Sequence, residues 1–213
     1  MTKTDNYSII KQSESIAGIL RRQIYMGNYP NAAQGLKMIF WAAIAAIISA
    51  VVSVIPILGI IGAIAVIVCG IISFLGVRKA SADDEGYHKA LVYTIANIVI
   101  GIIQIFTDDI KIVGTLVGIA GSIVSLMVTY YICITTAKIL RNVGSDAIAD
   151  KGIKVWNIIK ICTIISVICS FLSIIPIINI IAAVIAVVVA IVMIVAEIMY
   201  LIFLKNSYEA LGA

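Results

Sequence analysis

Residues 53–63 read Ser-Val-Ile-Pro-Ile-Leu-Gly-Ile-Ile-Gly-Ala, and residues 173–183 read Ser-Ile-Ile-Pro-Ile-Ile-Asn-Ile-Ile-Ala-Ala, with 7 of 11 positions identical. Each copy lies midway along an apolar run of roughly forty residues. As a single helix such a run would be about 60 Å long, twice the ~30 Å hydrocarbon core of a membrane. Because proline lacks an N–H group and clashes with the preceding helical turn, we predict that each run folds back into a tight helical hairpin at Pro56 or Pro176.

The composition excludes an ordinary soluble domain. The 213-residue chain is 62% hydrophobic and 12% charged, and its mean hydropathy is +1.17. Soluble domains are about half apolar and about a quarter charged, so we predict an all-α integral membrane protein. Four cysteines lie within the apolar runs without disulfide or zinc spacing, and we interpret them as small packing residues.

Hydropathy predicts six transmembrane helices arranged as three hairpins, of which the first and third form a parallel internal repeat. Residues 1–35 carry apolar residues at helical spacing beside basic ones, which predicts an amphipathic segment on the cytoplasmic membrane surface or, alternatively, a weakly ordered basic tail. The hairpin segments are 36–89, 90–151 and 152–213, the last with a short cytoplasmic tail. Their predicted spans are 37–55 and 57–77, 90–107 and 110–137, and 154–175 and 177–204.

The positions of the basic residues predict the orientation in the membrane. If both termini and the two longer loops share one side, 14 of the 15 Lys and Arg residues lie on that side, and only Lys111 lies on the other. Loops on the cytoplasmic side are enriched in Lys and Arg. We therefore expect both termini in the cytoplasm and the chain in the plasma membrane of a prokaryotic cell.

Small residues recur at helical spacing along the predicted spans. In lipid, helices associate through close packing of small residues rather than through burial of apolar ones. The pattern predicts a compact bundle with backbones in contact, and it equally favours a homo-oligomer or a protein partner in the membrane. Two examples are Gly114, Gly118 and Ser122 in the fourth span and Ala183, Ala186 and Ala190 in the sixth.

The third span carries a candidate polar seam. Thr94, Asn97, Gly101 and Gln104 follow one another in steps of three and four, which places them on one helix face. Because unpaired amides in hydrocarbon cost several kcal/mol, this face is expected to point into the bundle. The seam either lines a path for a substrate or ion, or forms hydrogen bonds between helices that fix their register.

Glu197 is the one acidic residue deep within an apolar run, and intramembrane carboxylates are rare and commonly functional. Lys160 lies 16 residues before Pro176 and Glu197 lies 21 residues after it, so Glu197 is nearer the cytoplasm by five residues, or about 7 Å of helical rise. A lysine that snorkels toward the cytoplasm covers most of that offset. We therefore predict an ion pair between Glu197 and Lys160, with a cation- or proton-binding carboxylate or an interfacial glutamate as the alternatives.

The sequence offers little chemistry beyond this pair. Residues 81–88 include three acids and the only histidine, His88, and we interpret them as a solvated cytoplasmic loop. No nucleotide-binding loop, hydrolase elbow or zinc signature is present. We expect no cofactor, no metal site, no nucleic-acid partner and no enzymatic activity, although a lipid-modifying enzyme remains a third possibility.

Two functions are compatible with these features. The leading interpretation is a non-enzymatic membrane subunit or scaffold that presents its basic cytoplasmic face to membrane lipid or to a partner protein. The alternative is a small transporter or channel that uses the third-span seam and Glu197.

Overall fold

A computed structural model of the chain describes residues 29–53, 59–107, 110–172 and 179–212. All of the helices and strands that the described part contains are α-helices, which confirms the all-α prediction. The predicted turns at Pro56 and Pro176, the acids that follow Thr107 and the amino-terminal segment before Tyr29 lie outside the described residues. The helices are α1 (Pro30–Ser53), α2 (Gly59–Ala80), α3 (Glu85–Thr107), α4 (Lys111–Asn142), α5 (Asp146–Leu172) and α6 (Asn179–Ala210).

The lengths and composition of the helices suit a membrane. Five of the six are long and apolar enough to cross one. Large apolar side chains, mainly Ile, Val and Leu, are exposed over much of their surface. A soluble protein rarely leaves so much contiguous apolar area open. The chain is therefore a helical bundle compatible with a membrane protein.

The six helices form a ring in which each packs against its neighbour in sequence and α1 packs against α6. Residues from several helices meet at the end where α1 begins and α6 finishes. There Asn31 bonds Asp83, and Lys138 bonds Asp84 at 2.8 Å. We call this end, which carries the connections 81–84 and 143–145, the basic end. At the opposite end α3 finishes at Thr107 and α5 at Leu172.

The helices continue past the predicted spans at the basic end. The span predicted from 154 belongs to α5, which begins at Asp146, and the span predicted to 204 belongs to α6, which continues to Ala210. Hydropathy marks the part of a helix that suits lipid, whereas a helix ends where its terminal backbone groups find other partners. One such end is α4, where Gly144 has φ +76° and the Ser145 N–H donates to the Leu140 carbonyl at 2.7 Å.

The loop of acidic residues between α2 and α3 is part of this capping, so its interpretation as a solvated loop is wrong for two of its members. Asp83 Oδ2 accepts the backbone N–H of Ala32 at 2.7 Å, which caps the start of α1 from another segment of the chain. Asp84 Oδ1 accepts the N–H of Gly86 at 2.8 Å and caps α3. Both carboxylates lie at helix amino termini, where the helix dipole favours negative charge.

The most densely packed part of the molecule lies near the basic end. Tyr87 and Phe203 are fully buried there, and the hydroxyls of Tyr87 and Thr136 hydrogen-bond at 2.7 Å between α3 and α4. The α1 and α2 backbones touch at Gly35 and Gly76, where a Cβ added to Gly76 would lie 2.8 Å from the Gly35 carbonyl oxygen. The close packing at the basic end holds together the helices that line the candidate site.

Candidate functional site: a polar cavity between four helices

A cavity of about 930 Å³ lies among α3, α4, α5 and α6, and none of its described lining residues belongs to α1 or α2. Along α4 its lining extends from Gly114 to Thr129, a rise of about 22 Å at ~1.5 Å per residue. Ten of the described lining residues carry polar side chains. They are Asn97, Gln104, Thr115, Ser122, Ser125, Thr129, Thr163, Ser166, Ser170 and Glu197.

The small residues of α4 explain why there is space here. Gly114, Gly118 and Ser122 line the cavity, and a Cβ added to Gly118 would lie 3.6 Å from Gln104 Nε2, an ordinary contact distance. The stripe predicted to bring helices into contact instead leaves an open volume along most of α4. By contrast, α1 and α2 touch through backbone at Gly35 and Gly76, which leaves no room between them.

A side chain lies between the last two helices. The ring of Phe203 on α6 packs directly against Gly152 of α5, so closely that a Cβ at Gly152 would overlap it. The two helices are therefore separated by an aromatic ring rather than joined through backbone. The helices of the predicted first and third hairpins consequently pack in different ways, and of these two hairpins the described lining residues come from the third.

The polar seam predicted on the third span faces this cavity in part. Asn97, Gly101 and Gln104 line it, whereas Thr94 does not and its hydroxyl donates to the Ala90 carbonyl at 2.8 Å. Within the described part of the chain, neither Asn97 nor Gln104 forms a side-chain hydrogen bond to another residue. Their amides are thus available to water or to a solute in the cavity.

Glu197 lines the cavity with Met193, one helical turn earlier on α6. Among the described residues it forms no ion pair, and the predicted pair with Lys160 is absent. Lys160 Nζ instead lies 3.4 Å from Asn157 Oδ1 and 5.8 Å from the centre of the Trp156 ring, both on its own helix. The prediction was wrong about the partner, because contacts one turn away satisfy a lysine without ordering a long side chain toward another helix.

The alanine stripe predicted to face the bundle on α6 is not buried. Ala183, Ala186 and Ala190 are exposed, and α6 buries a different set on one face: Ala182, Val189, Ala196 and Phe203. Glu197 follows Ala196 directly, so it lies beside the buried face. This position explains why it is partly buried and yet reaches the cavity.

Aromatic residues lie along the helices between the cavity lining and the basic end. Tyr130 follows the lining residue Thr129, and its ring centre lies 5.0 Å from that of Trp156 on α5. Tyr93 stacks on Tyr131 between α3 and α4, with ring centres 5.5 Å apart and an angle of 18° between the planes. We call Tyr93, Tyr130, Tyr131 and Trp156 the aromatic layer.

Several hydroxyl groups in the lining donate their proton within their own helix. The Ser122 hydroxyl donates to the Gly118 carbonyl at 2.9 Å, and the Thr129 hydroxyl donates to the Ser125 carbonyl at 3.2 Å. Such bonds leave oxygen lone pairs as the remaining hydrogen-bonding capacity. Among the described residues, no three His, Cys, Asp or Glu side chains lie close enough together to hold a metal ion.

Comparisons of the chain with protein families, with curated proteins and with solved structures find no match.

Proposed function

We propose that the chain is a six-span membrane protein in which a small polar solute enters the cavity between α3 and α6 and is passed across the membrane. The observation that carries this proposal is the cavity itself, about 930 Å³ in volume, whose described lining includes amides, hydroxyls and one carboxylate. A pocket of this size is within the range that small ligands occupy.

The surroundings of the cavity support a role beyond packing. Polar groups in the hydrocarbon region are expensive unless they are paired or hydrated, and they are commonly found facing water-filled paths. Asn97 and Gln104 have no side-chain partner within the described part, and both line the cavity. If their only role were to join helices, they would be expected to form bonds between helices.

The proposed arrangement has six spans, three hairpins and an internal repeat, in the plasma membrane of a prokaryotic cell. We count α2 as the sixth span, because its 22 residues rise about 33 Å, enough for a ~30 Å core. The basic end faces the cytoplasm with both termini, since Lys and Arg favour that side. The cavity then opens away from the cytoplasm, and the aromatic layer forms its inner boundary.

The test is uptake of small solutes into vesicles that contain the purified protein. The panel consists of glycerol, rubidium, methylammonium and chloride, compared with protein-free vesicles. Ser122→Phe places a ring in the cavity and should abolish uptake. Ile123→Phe is the matched control, because Ile123 is 47% exposed on the outward side of the same helix. If no solute enters faster than into protein-free vesicles, the proposal is refuted.

A second function is favoured by the exposed basic residues. Arg78, Lys79, Lys151 and Lys154 are exposed, and none forms an ion pair with another residue that the structure describes. Free lysine and arginine side chains near a membrane attract anionic headgroups by about 1 kcal/mol each. The chain would then act as a scaffold that holds anionic lipid or an acidic partner at its cytoplasmic face.

This second function predicts that anionic lipid is retained on gentle extraction. Native mass spectrometry of the protein with phosphatidylglycerol should show bound lipid, and Lys151→Ala with Lys154→Ala should lose it. Lys89→Ala is the control, because Lys89 is already paired with Glu85 at 3.2 Å. Equal lipid retention by all three proteins would argue against the scaffold.

A further inference from the structure

We infer that the solute accepted by the cavity is a small monovalent cation, either an inorganic ion or a primary ammonium compound, with Glu197 as its charge partner. The inference rests on the proposed function, and it adds the sign and the valence of the charge.

The described part of the lining carries charge of one sign. Among the described lining residues Glu197 is the only one with a charged side chain. Lys160, the partner predicted from the sequence, instead contacts Asn157 and Trp156 on its own helix. A carboxylate in a poorly solvated cavity attracts a cation strongly and excludes anions.

The neutral lining is rich in oxygen acceptors. Ser122 and Thr129 each donate their hydroxyl proton to a carbonyl of their own helix, at 2.9 and 3.2 Å. Each hydroxyl oxygen therefore presents lone pairs to the cavity, as do the amide oxygens of Asn97 and Gln104. Oxygen acceptors replace the hydration shell of an alkali cation, and they also accept the N–H groups of an ammonium ion.

The valence follows from the number of carboxylates. Calcium and magnesium sites use several oxygen ligands, commonly with more than one carboxylate. The described lining residues provide a single carboxylate, and they include no cluster of three His, Cys, Asp or Glu side chains that could hold a metal ion. One negative charge surrounded by neutral oxygens balances one positive charge.

The test compares wild type, Glu197→Gln and Glu209→Gln in the same vesicles, with rubidium, methylammonium, glycerol and chloride as probes. Glu209 is the matched control, because it lies on α6 but pairs with Lys205 at 3.9 Å outside the cavity. We expect wild type to take up cations in preference to glycerol and chloride. Glu197→Gln should reduce this uptake roughly ten- to a hundredfold, which is the ratio that corresponds to the loss of one hydrogen bond to a charged group. Glu209→Gln should leave the uptake unchanged.

Whether rubidium or methylammonium enters faster distinguishes an inorganic ion from an ammonium compound. Glycerol or chloride uptake that equals cation uptake would overturn the inference and leave the proposed function intact. Unchanged cation uptake in a folded Glu197→Gln variant would overturn it as well. If Glu197→Gln does not fold, Asn97→Ala is the second variant, and it should weaken cation uptake without admitting chloride. No uptake of any probe refutes the proposed function itself.

Discussion

At the level of single residues, the contact between Gly35 and Gly76 determines how closely α1 and α2 approach. A Cβ at Gly76 would lie 2.8 Å from the Gly35 carbonyl oxygen and 2.9 Å from an Ile39 side-chain carbon. Gly70, on the same helix, has no atom within 4 Å of an added Cβ. A comparison of alanine substitutions at Gly76 and Gly70 therefore separates the effect of helix propensity on stability from the effect of steric crowding.

Gly76→Ala should destabilise the protein by about 1–3 kcal/mol, because the added methyl group overpacks a backbone contact. Gly70→Ala should leave stability unchanged or raise it by up to about 1 kcal/mol, the difference in helix propensity. Thermal unfolding in detergent measures both. A melting temperature for Gly76→Ala at or above that of Gly70→Ala would contradict the described packing of α1 on α2.

The absence of the predicted ion pair between Lys160 and Glu197 is also explained by single residues. Counting residues from Pro176 placed Lys160 near Glu197, but the count treats side chains as free to point across the bundle. Trp156 and Asn157 lie about one helical turn before Lys160 on the same helix and contact it. This spacing was visible in the sequence. The inward orientation expected for Asn97 and Gln104 follows from the cost of burying amides in hydrocarbon, and both line the cavity.

At the level of whole elements, the caps join helices that are far apart in sequence. Asp83, between α2 and α3, bonds the Asn31 side chain at 2.8 Å and the Ala32 N–H at 2.7 Å, both at the start of α1. Hydropathy does not register such contacts, because they lie in the polar part of the chain. This explains why the lipid-compatible segments were predictable from sequence and the helix ends were not.

Asp83→Ala should destabilise the protein by roughly 0.5–2 kcal/mol, the usual loss for a helix cap. Asp150→Ala removes the same charge, but only from an exposed pair with Arg141 at 3.0 Å, which is worth about 0–1 kcal/mol. Denaturant unfolding followed by circular dichroism compares the two variants. An Asp83→Ala protein no less stable than Asp150→Ala would show that the cap does not hold α1.

The positions of the small-residue stripes were predictable from the sequence, but whether a stripe brings helices together or leaves a gap between them was not. Small residues permit close approach, and they equally leave a gap where the helices are held apart by another contact. On α5 and α6 the Phe203 ring packed against Gly152 is such a contact. On α6 the predicted alanines are exposed, because in lipid an alanine gains little from burial.

At the level of the whole molecule, composition was sufficient to predict a helical bundle suited to a membrane, because the hydrocarbon core limits both helix length and polarity. The cavity was not predictable, because its volume depends on how helices cross and on which side chains separate them. The aromatic layer illustrates this, because the contact between Tyr130 on α4 and Trp156 on α5 depends on how these two helices pack.

The orientation of the bundle is testable with cysteines placed at its two ends, after the four native cysteines are replaced by alanine. Ser81, in the connection at the basic end, is partly exposed, and Ile110 at the opposite end is 56% exposed. In intact cells an impermeant thiol reagent should label Ile110→Cys, and it should label Ser81→Cys only after the membrane is opened. The reverse pattern would place the basic end outside.

The proposed polar path between α3 and α6 is tested most directly by asking whether water reaches the cavity. In the same cysteine-free protein, the comparison is between Ser122→Cys, at a position that lines the cavity, and Ile123→Cys, at a 47% exposed position that is not among the described lining residues. A thiol reacts as the thiolate, which forms in water but not in hydrocarbon. We predict that a small charged thiol reagent added from the side opposite the basic end labels Ser122→Cys and leaves Ile123→Cys unmodified. An unreactive Ser122→Cys, in a protein that folds normally, would contradict the presence of a polar path through α3 to α6.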